Sequence, residues 1–135
     1  MNYSEDYVPR FSILTASGDQ TGMGGAHVQE FSKGGLSGQV CCAPIPKPGR
    51  ILIVSWRIGD RKEAEASWKR LRKTVVVRGE VSNGADKINS LIVRFFPGRQ
   101  VEAELISEST GPNARPSPRR DQLFYGRRVM REIGD

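Results

Sequence analysis

Residues 91–108 read LIVRFFPGRQVEAELISE. The first six residues are apolar, β-branched or aromatic except for Arg94, and from Val101 onward apolar residues alternate with acidic ones. Both patterns are typical of β-strands, and the Pro-Gly-Arg sequence at 97–99 between them is typical of a turn. The stretch therefore predicts a β-hairpin. Its second strand should be half-buried, with Val101 and every second residue after it on one face.

Further strand patterns lie on the N-terminal side of this hairpin. Residues 51–58 form an apolar stretch bounded by glycine-containing turns, and valines between 75 and 81 recur with a period of two. Shorter apolar runs at 11–14, 28–31 and 40–43 raise the number of strands to six or seven. We therefore predict an all-β fold, a single-domain β-sandwich.

Two segments depart from the strand pattern. In residues 61–73 the apolar side chains are spaced i, i+4 and i+7, which fits either one short helix or an irregular arm leading into the next strand. Residues 111–122 contain three prolines and few apolar residues, which predicts an extended, solvated connector. The predicted organisation is a β-sandwich domain over 1–110 and a Pro/Arg-rich C-terminal extension over 111–135.

The size and charge of the chain narrow its class. Its 135 residues suffice for one domain with a continuous core, and the net charge is +6. This charge fits nucleic acid, anionic lipid or an acidic protein as a partner, and it equally fits a solvated surface that maintains solubility. The residues contain no secretion signal, which is expected of a cytoplasmic protein or of one whose signal has been removed.

The sequence argues against an enzyme. His27 is the only histidine, so a metal site of several imidazoles is excluded, and we interpret His27 as a surface residue. The Ser-Gly sequence at 37–38 lacks the spacing of a nucleophile elbow. The glycines between 18 and 25 lack the Lys-Ser/Thr of a phosphate-binding loop, and we interpret them as a flexible loop. We predict no catalytic residue, no metal and no cofactor.

The only two cysteines are neighbours, Cys41 and Cys42, and they follow a glycine-rich loop. We favour a packing role over a redox role, since a buried free cysteine behaves as a small hydrophobic residue. A disulfide between adjacent residues would require a distorted peptide, and two isolated sulfurs make a poor zinc site.

Basic residues concentrate in two segments. In residues 57–73 three acidic residues dilute the charge, whereas few acidic residues oppose the arginines of the C-terminal extension. These are Arg115, Arg119, Arg120, Arg127, Arg128 and Arg131, interleaved with Phe124 and Tyr125. Such a segment fits the stacking of bases and the binding of phosphates, and it equally fits the binding of carboxylates at a protein interface.

The order of motifs resembles a family of small bacterial lipoproteins catalogued as a domain of unknown function. The motifs are the glycine-rich loop into Val40-Cys41-Cys42, the proline-rich turn at 44–49, the strand with Trp56, Trp68 and the strand after it, and Leu91-Ile-Val-Arg-Phe-Phe-Pro-Gly98. The resemblance covers roughly residues 2–112, and its most specific parts are the double cysteine and the Phe-Phe-Pro-Gly hairpin. The family's secretion signal and lipid-bearing cysteine are missing here, and the arginine-rich extension has no counterpart in the family pattern.

Members of that family lie beside type VI secretion genes, and some are immunity proteins encoded next to antibacterial phospholipase effectors. The resemblance implies a periplasmic protein that binds a cognate phospholipase and blocks its active site or lid, with membrane contact only through a lipid anchor that this chain lacks. We expect the interface to include Met23, His27, Arg115, Arg119, Arg120, Phe124, Tyr125, Arg127 and Arg128. We assign structural roles to Cys41, Cys42, Trp56, Phe95 and Phe96.

Two alternatives remain beside the immunity protein. A basic nucleic-acid-binding module would explain the charge, and a structural envelope lipoprotein without a toxin partner would also fit the family. A cytoplasmic location remains the alternative to the periplasm, and no small-molecule substrate is expected.

Overall fold

The computed structural model describes residues 1–36, 43–115, 117, 119 and 132–134. The strands are β1 Val8–Thr15, β2 Gln20–Val28, β3 Ile51–Ile58, β4 Lys69–Val76, β5 Arg78–Gly79, β6 Lys87–Phe96 and β7 Gln100–Ser109. They form a four-stranded sheet with the order β2-β1-β3-β4 and a three-stranded sheet with the order β5-β7-β6. Short 3₁₀ turns lie at Phe31–Lys33 and Glu65–Ser67.

The two sheets share one hydrophobic core. The ring centroid of Trp56 on β3 lies 5.7 Å from that of Phe95 on β6, and Phe11 on β1 meets Phe95 edge to face at 5.5 Å. Alternate residues of β7, beginning with Val101, belong to the same buried cluster. The prediction of an all-β sandwich is confirmed.

The predicted hairpin is β6 and β7. The strands pair antiparallel up to Phe96 and Gln100, so the turn consists of Pro97, Gly98 and Arg99. Gly98 has φ 73° and Arg99 has φ 59°, both in the left-handed region. This is the conformation that a glycine-containing hairpin loop requires.

The prediction that the second hairpin strand is half-buried is wrong. Glu102 and Glu104, which should face solvent, are 4% and 7% exposed. Their charges are compensated by Arg94, which lies on the neighbouring strand, is fully buried itself and forms ion pairs with both carboxylates. A buried charge is tolerated only when it is paired in this way.

The interpretation of the glycine-rich segment as a flexible loop is also wrong, because it forms the edge strand β2, which pairs antiparallel with β1. A Cβ added at Gly24 would lie 2.5 Å from the carbonyl oxygen of Phe11, and one at Gly25 would lie 2.5 Å from its ring. Phe11 therefore occupies the space that side chains would need. Glycine is depleted in strands generally, so propensity pointed away from this strand.

The run at 11–14 lies in β1 as predicted, whereas the run at 28–31 does not form a strand. β2 ends at Val28, and a 3₁₀ turn follows at Phe31. The run at 40–43 falls largely outside the described residues. The short helix considered for residues 61–73 is wrong, because that segment contains only the 3₁₀ turn and then begins β4 at Lys69. All eight residues of β4 pair with β3, which overrides the helical spacing.

The chain changes sheets between β4 and β5. Val75 and Val77 are both buried in the core, and the two-residue β5 pairs parallel with β7. Gly79 has φ 85°, and a Cβ there would lie 2.1 Å from the carbonyl oxygen of Leu105. The crossover therefore requires glycine both for its backbone angle and for its close approach to β7.

Candidate functional site

The outward face of the four-stranded sheet carries a row of arginines. On β3, Trp56 lies in the core, so Arg57 points to the opposite side because neighbouring strand residues face opposite ways. Arg70 on β4 is its direct cross-strand partner. On β1, Arg10 precedes Phe11, the residue opposite Trp56, and is therefore next to Arg57.

A fourth arginine extends the row along β4. Arg72 lies two residues beyond Arg70, on the same side of the strand, opposite Ser55. We call the surface formed by these four residues, Arg10, Arg57, Arg70 and Arg72, the arginine face. It joins the consecutive strands β3 and β4 to β1, which is separated from them in sequence by β2 and the segment after it.

The arginine face is open to solvent and poor in carboxylates. Arg10, Arg70 and Arg72 are exposed, and within the described parts of the chain none of them forms an ion pair. Arg57 is 27% exposed, and its Nη1 donates to Oε1 of Glu65 at 2.9 Å. Glu65 comes from the 3₁₀ turn at the rim of the sheet and is itself 62% exposed.

Like charges directly across two strands are destabilising, so the pairing of Arg57 with Arg70 opposes folding. Positive charge on an edge strand is a known protection against aggregation, and β4 is an edge strand. That role does not account for Arg10 and Arg57, which lie on the inner strands β1 and β3.

The same face is apolar at its other end. Ile51 and Val76 form a cross-strand pair and are 49% and 57% exposed. Ile51 lies six residues from Arg57 along β3, or about 20 Å at the usual rise per residue. Among the described strands, none contributes an aromatic side chain to this face. A surface that combines exposed apolar residues with arginines is typical of a protein interface, whereas binders of single-stranded nucleic acid use aromatic stacking.

The two residues predicted to bind a partner on the glycine-rich segment lie in β2. Met23 is partly buried against the core. His27 is exposed with φ 56°, and its Nδ1 lies 2.7 Å from the hydroxyl of Tyr7. Arg61 stacks over the ring of Tyr7, with its guanidinium carbon 4.6 Å from the centroid. His27 is thus tied to the buried Tyr7, and it follows Ala26, the cross-strand partner of Arg10.

The predicted residues of the C-terminal extension have different environments where they are described. Arg115 is exposed. Arg119 forms a bidentate pair with Glu104, with Nε 2.8 Å from Oε1 and Nη2 3.0 Å from Oε2. Arg120, Phe124, Tyr125, Arg127 and Arg128 lie outside the described residues, as do Cys41 and Cys42. The three aromatic residues given structural roles, Trp56, Phe95 and Phe96, are buried.

Arg119 belongs to a buried ionic cluster on the outer side of the three-stranded sheet. Arg94 Nη1 donates to Glu102 at 3.0 Å and also to Glu104, and its Nη2 donates to the carbonyl oxygen of Arg119 at 2.7 Å. Arg78 pairs with the second oxygen of Glu102 at 3.2 Å. Burial raises the pKa of Glu104, but the hydrogen bonds from Arg119 and Arg94 outweigh burial and hold that pKa below its ordinary value. The cluster anchors the backbone at Arg119 to β6 and β7.

Sequence reasoning missed both the arginine face and this cluster. The register implied by the three-residue turn places Arg94 opposite Glu102, so that pair was available from the hairpin prediction. The arginine face required the pairing of β1, β3 and β4, for which the sequence contains no comparable signal. In the sequence, the acidic residues between 57 and 73 also lower the net charge of the segment that contains Arg57, Arg70 and Arg72.

No helix among the described residues is long and apolar enough to cross a membrane. A family model described as "Protein of unknown function (DUF3304)" matches residues 1–103. The chain belongs to the DUF3304 family. No curated protein and no solved structure matches it. The DUF3304 match includes the whole arginine face, together with Met23 and His27, and ends within β7, before Arg115 and Arg119.

The described parts of this DUF3304 protein contain no group of three or more histidine, cysteine, aspartate or glutamate residues that could hold a metal ion. The two concentrations of arginine side chains among the described residues are the exposed arginine face and the buried ionic cluster. Of these two, the arginine face is the one accessible to a partner.

Proposed function

We propose that this protein is an immunity protein that binds and neutralises a type VI secretion phospholipase effector, with the arginine face as its binding surface. The observation that carries the proposal is the row of arginines across β1, β3 and β4, in which, among the described residues, only Arg57 forms an ion pair, with Glu65. The resemblance of the sequence motifs to immunity proteins of such effectors supports the choice of partner.

The proposed mechanism is binding, without chemistry on a substrate. Guanidinium groups form paired hydrogen bonds with carboxylates, which fixes the orientation of a partner as well as its affinity. A cluster of positive charge also accelerates capture of an acidic surface and makes association sensitive to salt. Neutralisation follows if the bound partner has its active site covered or its lid held in place. We place this encounter in the periplasm.

A nucleic-acid-binding module is the competing proposal, because four arginines on one face also suit phosphates. The exposed pair Ile51 and Val76 on the same face favours a protein partner, since apolar side chains gain nothing from a phosphate backbone. A gel-shift titration with DNA at several salt concentrations tests this alternative, which predicts a shift at physiological salt that weakens steeply as salt rises, whereas the immunity proposal predicts no shift at physiological salt.

The test of the proposed function is a calorimetric titration against the phospholipase encoded beside the gene, with lipase activity measured in parallel. A stoichiometric complex that silences the lipase is the expected result. The double variant Arg70→Glu/Arg72→Glu should weaken this complex at least tenfold. The control is Arg115→Glu, a charge reversal at an exposed arginine beyond the end of the other sheet.

Three outcomes contradict the proposal or a part of it. Absence of binding at low salt rejects the phospholipase as the partner. Binding that leaves lipase activity intact rejects neutralisation and leaves a structural lipoprotein as the better account. A loss of affinity in Arg115→Glu without one in the β4 double variant moves the interface to the C-terminal extension.

A further inference from the structure

We infer that Glu65 holds, in the free protein, the position on Arg57 that a carboxylate of the partner takes in the complex. The partner surface is then an acidic protein segment with an apolar residue at one end. This inference deepens the proposed function and rests on it for the identity of the partner. The preference for a carboxylate follows from the arginine face alone.

Arg57 is the centre of the row. It lies between Arg70 on one neighbouring strand and Arg10 on the other, and strands in a sheet are about 4.8 Å apart. The row is therefore about 10 Å wide, which matches the reach of two or three carboxylates on one short segment. Repulsion from both sides raises the free energy of Arg57 in the absence of an anion.

Glu65 lies close enough to Arg57 to offset this repulsion, but it is held there only weakly. Its Oε1 accepts one hydrogen bond from Arg57 Nη1, and its side chain remains 62% exposed. A pair this exposed contributes little to stability, so a partner can displace it at small cost. Arg57 itself is accessible enough, at 27%, to be reached from solvent.

The apolar end of the face specifies the other part of the partner. Ile51 and Val76 are the most exposed apolar side chains of this sheet, and they neighbour each other across β3 and β4. An apolar side chain that covers both would remove them from water, while carboxylates about 20 Å away engage the arginines. An acidic protein segment can contact both the arginines and the apolar pair, whereas a polyphosphate chain can contact only the arginines.

The test compares two variants with the same change in charge. Glu65→Gln removes the carboxylate on Arg57, whereas Glu63→Gln removes a carboxylate of the same loop that accepts from the backbone N–H of Asp60. Each variant is titrated with a peptide of ten glutamates and with the phospholipase. We expect Glu65→Gln to tighten binding about two- to fivefold. This is the change in affinity that corresponds to the small free energy of an exposed ion pair, which the partner no longer has to displace. Glu63→Gln should change it by less than half as much.

Equal gains in the two variants overturn the inference, because they would reflect net charge alone. A duplex DNA of matched charge is titrated in the same way, and tighter binding of DNA than of the peptide overturns the carboxylate assignment. If the phospholipase does not bind the unmodified protein, the proposed function fails while the glutamate peptide still decides the role of Glu65. If the phospholipase binds and Glu65→Gln matches Glu63→Gln, the inference fails and the proposed function stands.

Discussion

Replacing Arg94 by methionine should be among the most damaging substitutions in this protein. Methionine approximates the volume of the side chain but donates no hydrogen bond, so Glu102 and Glu104 lose their shared partner inside the sandwich. Removing one member of a buried ion pair costs about 3–5 kcal/mol when the remaining charge is left without compensation. Glu102 and Glu104 keep Arg78 and Arg119 as partners, so we expect a loss near the lower end of this range. Since a domain of this size is stable by only about 5–15 kcal/mol, such a loss is a substantial fraction of the total.

The loss should depend on pH, and the sign follows from Glu104. Its pKa in the folded protein is lower than the ordinary value of 4.5, so the pair contributes stability above about that pH and loses it as pH falls through the folded pKa. Without Arg94, Glu104 keeps Arg119 but loses one of the two donors that lower its pKa, so its pKa should rise and protonation should remove its buried charge at a higher pH than in the unmodified protein. The difference in stability between the two proteins should shrink from neutral pH to below the ordinary carboxylate pKa.

Urea unfolding followed by tryptophan fluorescence measures both effects. With a slope of about 2 kcal/mol per molar urea, a loss of about 3 kcal/mol lowers the midpoint by about 1.5 M near neutral pH. The control is Arg70→Met, at an exposed position on the other sheet, which should change stability by less than about 0.5 kcal/mol. The triple variant that adds Glu102→Gln and Glu104→Gln to Arg94→Met should recover part of the loss. A loss of stability below about 1 kcal/mol at neutral pH would refute the assigned role of the cluster. A loss that is equal at neutral pH and below the ordinary carboxylate pKa would also refute it.

Two glycine substitutions test the fold in the same assay. Gly79→Ala should destabilise by more than about 2 kcal/mol, because φ is 85° and the new Cβ would lie 2.1 Å from the carbonyl oxygen of Leu105, whereas Gly98→Ala, with φ 73° and open space, should cost about 1 kcal/mol. Equal losses in the two variants would show that close approach to β7 is unimportant. Gly25→Ala should also destabilise, because its Cβ meets the Phe11 ring, and Phe11→Leu should relieve part of that clash. Additive losses in this double variant would contradict the proposed contact.

The parts of the fold that sequence predicted are those with local signals. The hairpin was predictable because its two strands are adjacent in the chain and Pro97-Gly98 marks the reversal. The strand β2 was not, because its glycines are selected by contact with Phe11, and no periodicity reports such a contact. The start of β4 was misassigned because pairing with β3 outweighs the local helical spacing.

In the candidate site, too, only the features with a local signal were predictable from the sequence. The sequence determined that this chain forms β-strands, carries excess positive charge and joins Arg94 to an acidic strand through one turn. Only the tertiary structure decided that Arg10, Arg57 and Arg70 lie in one row and that Glu102 is buried. Periodicity specifies the side of a strand to which a residue points, but not the strand beside it. Residues that meet across a sheet can be tens of positions apart, so their pairing is set by how the whole core packs.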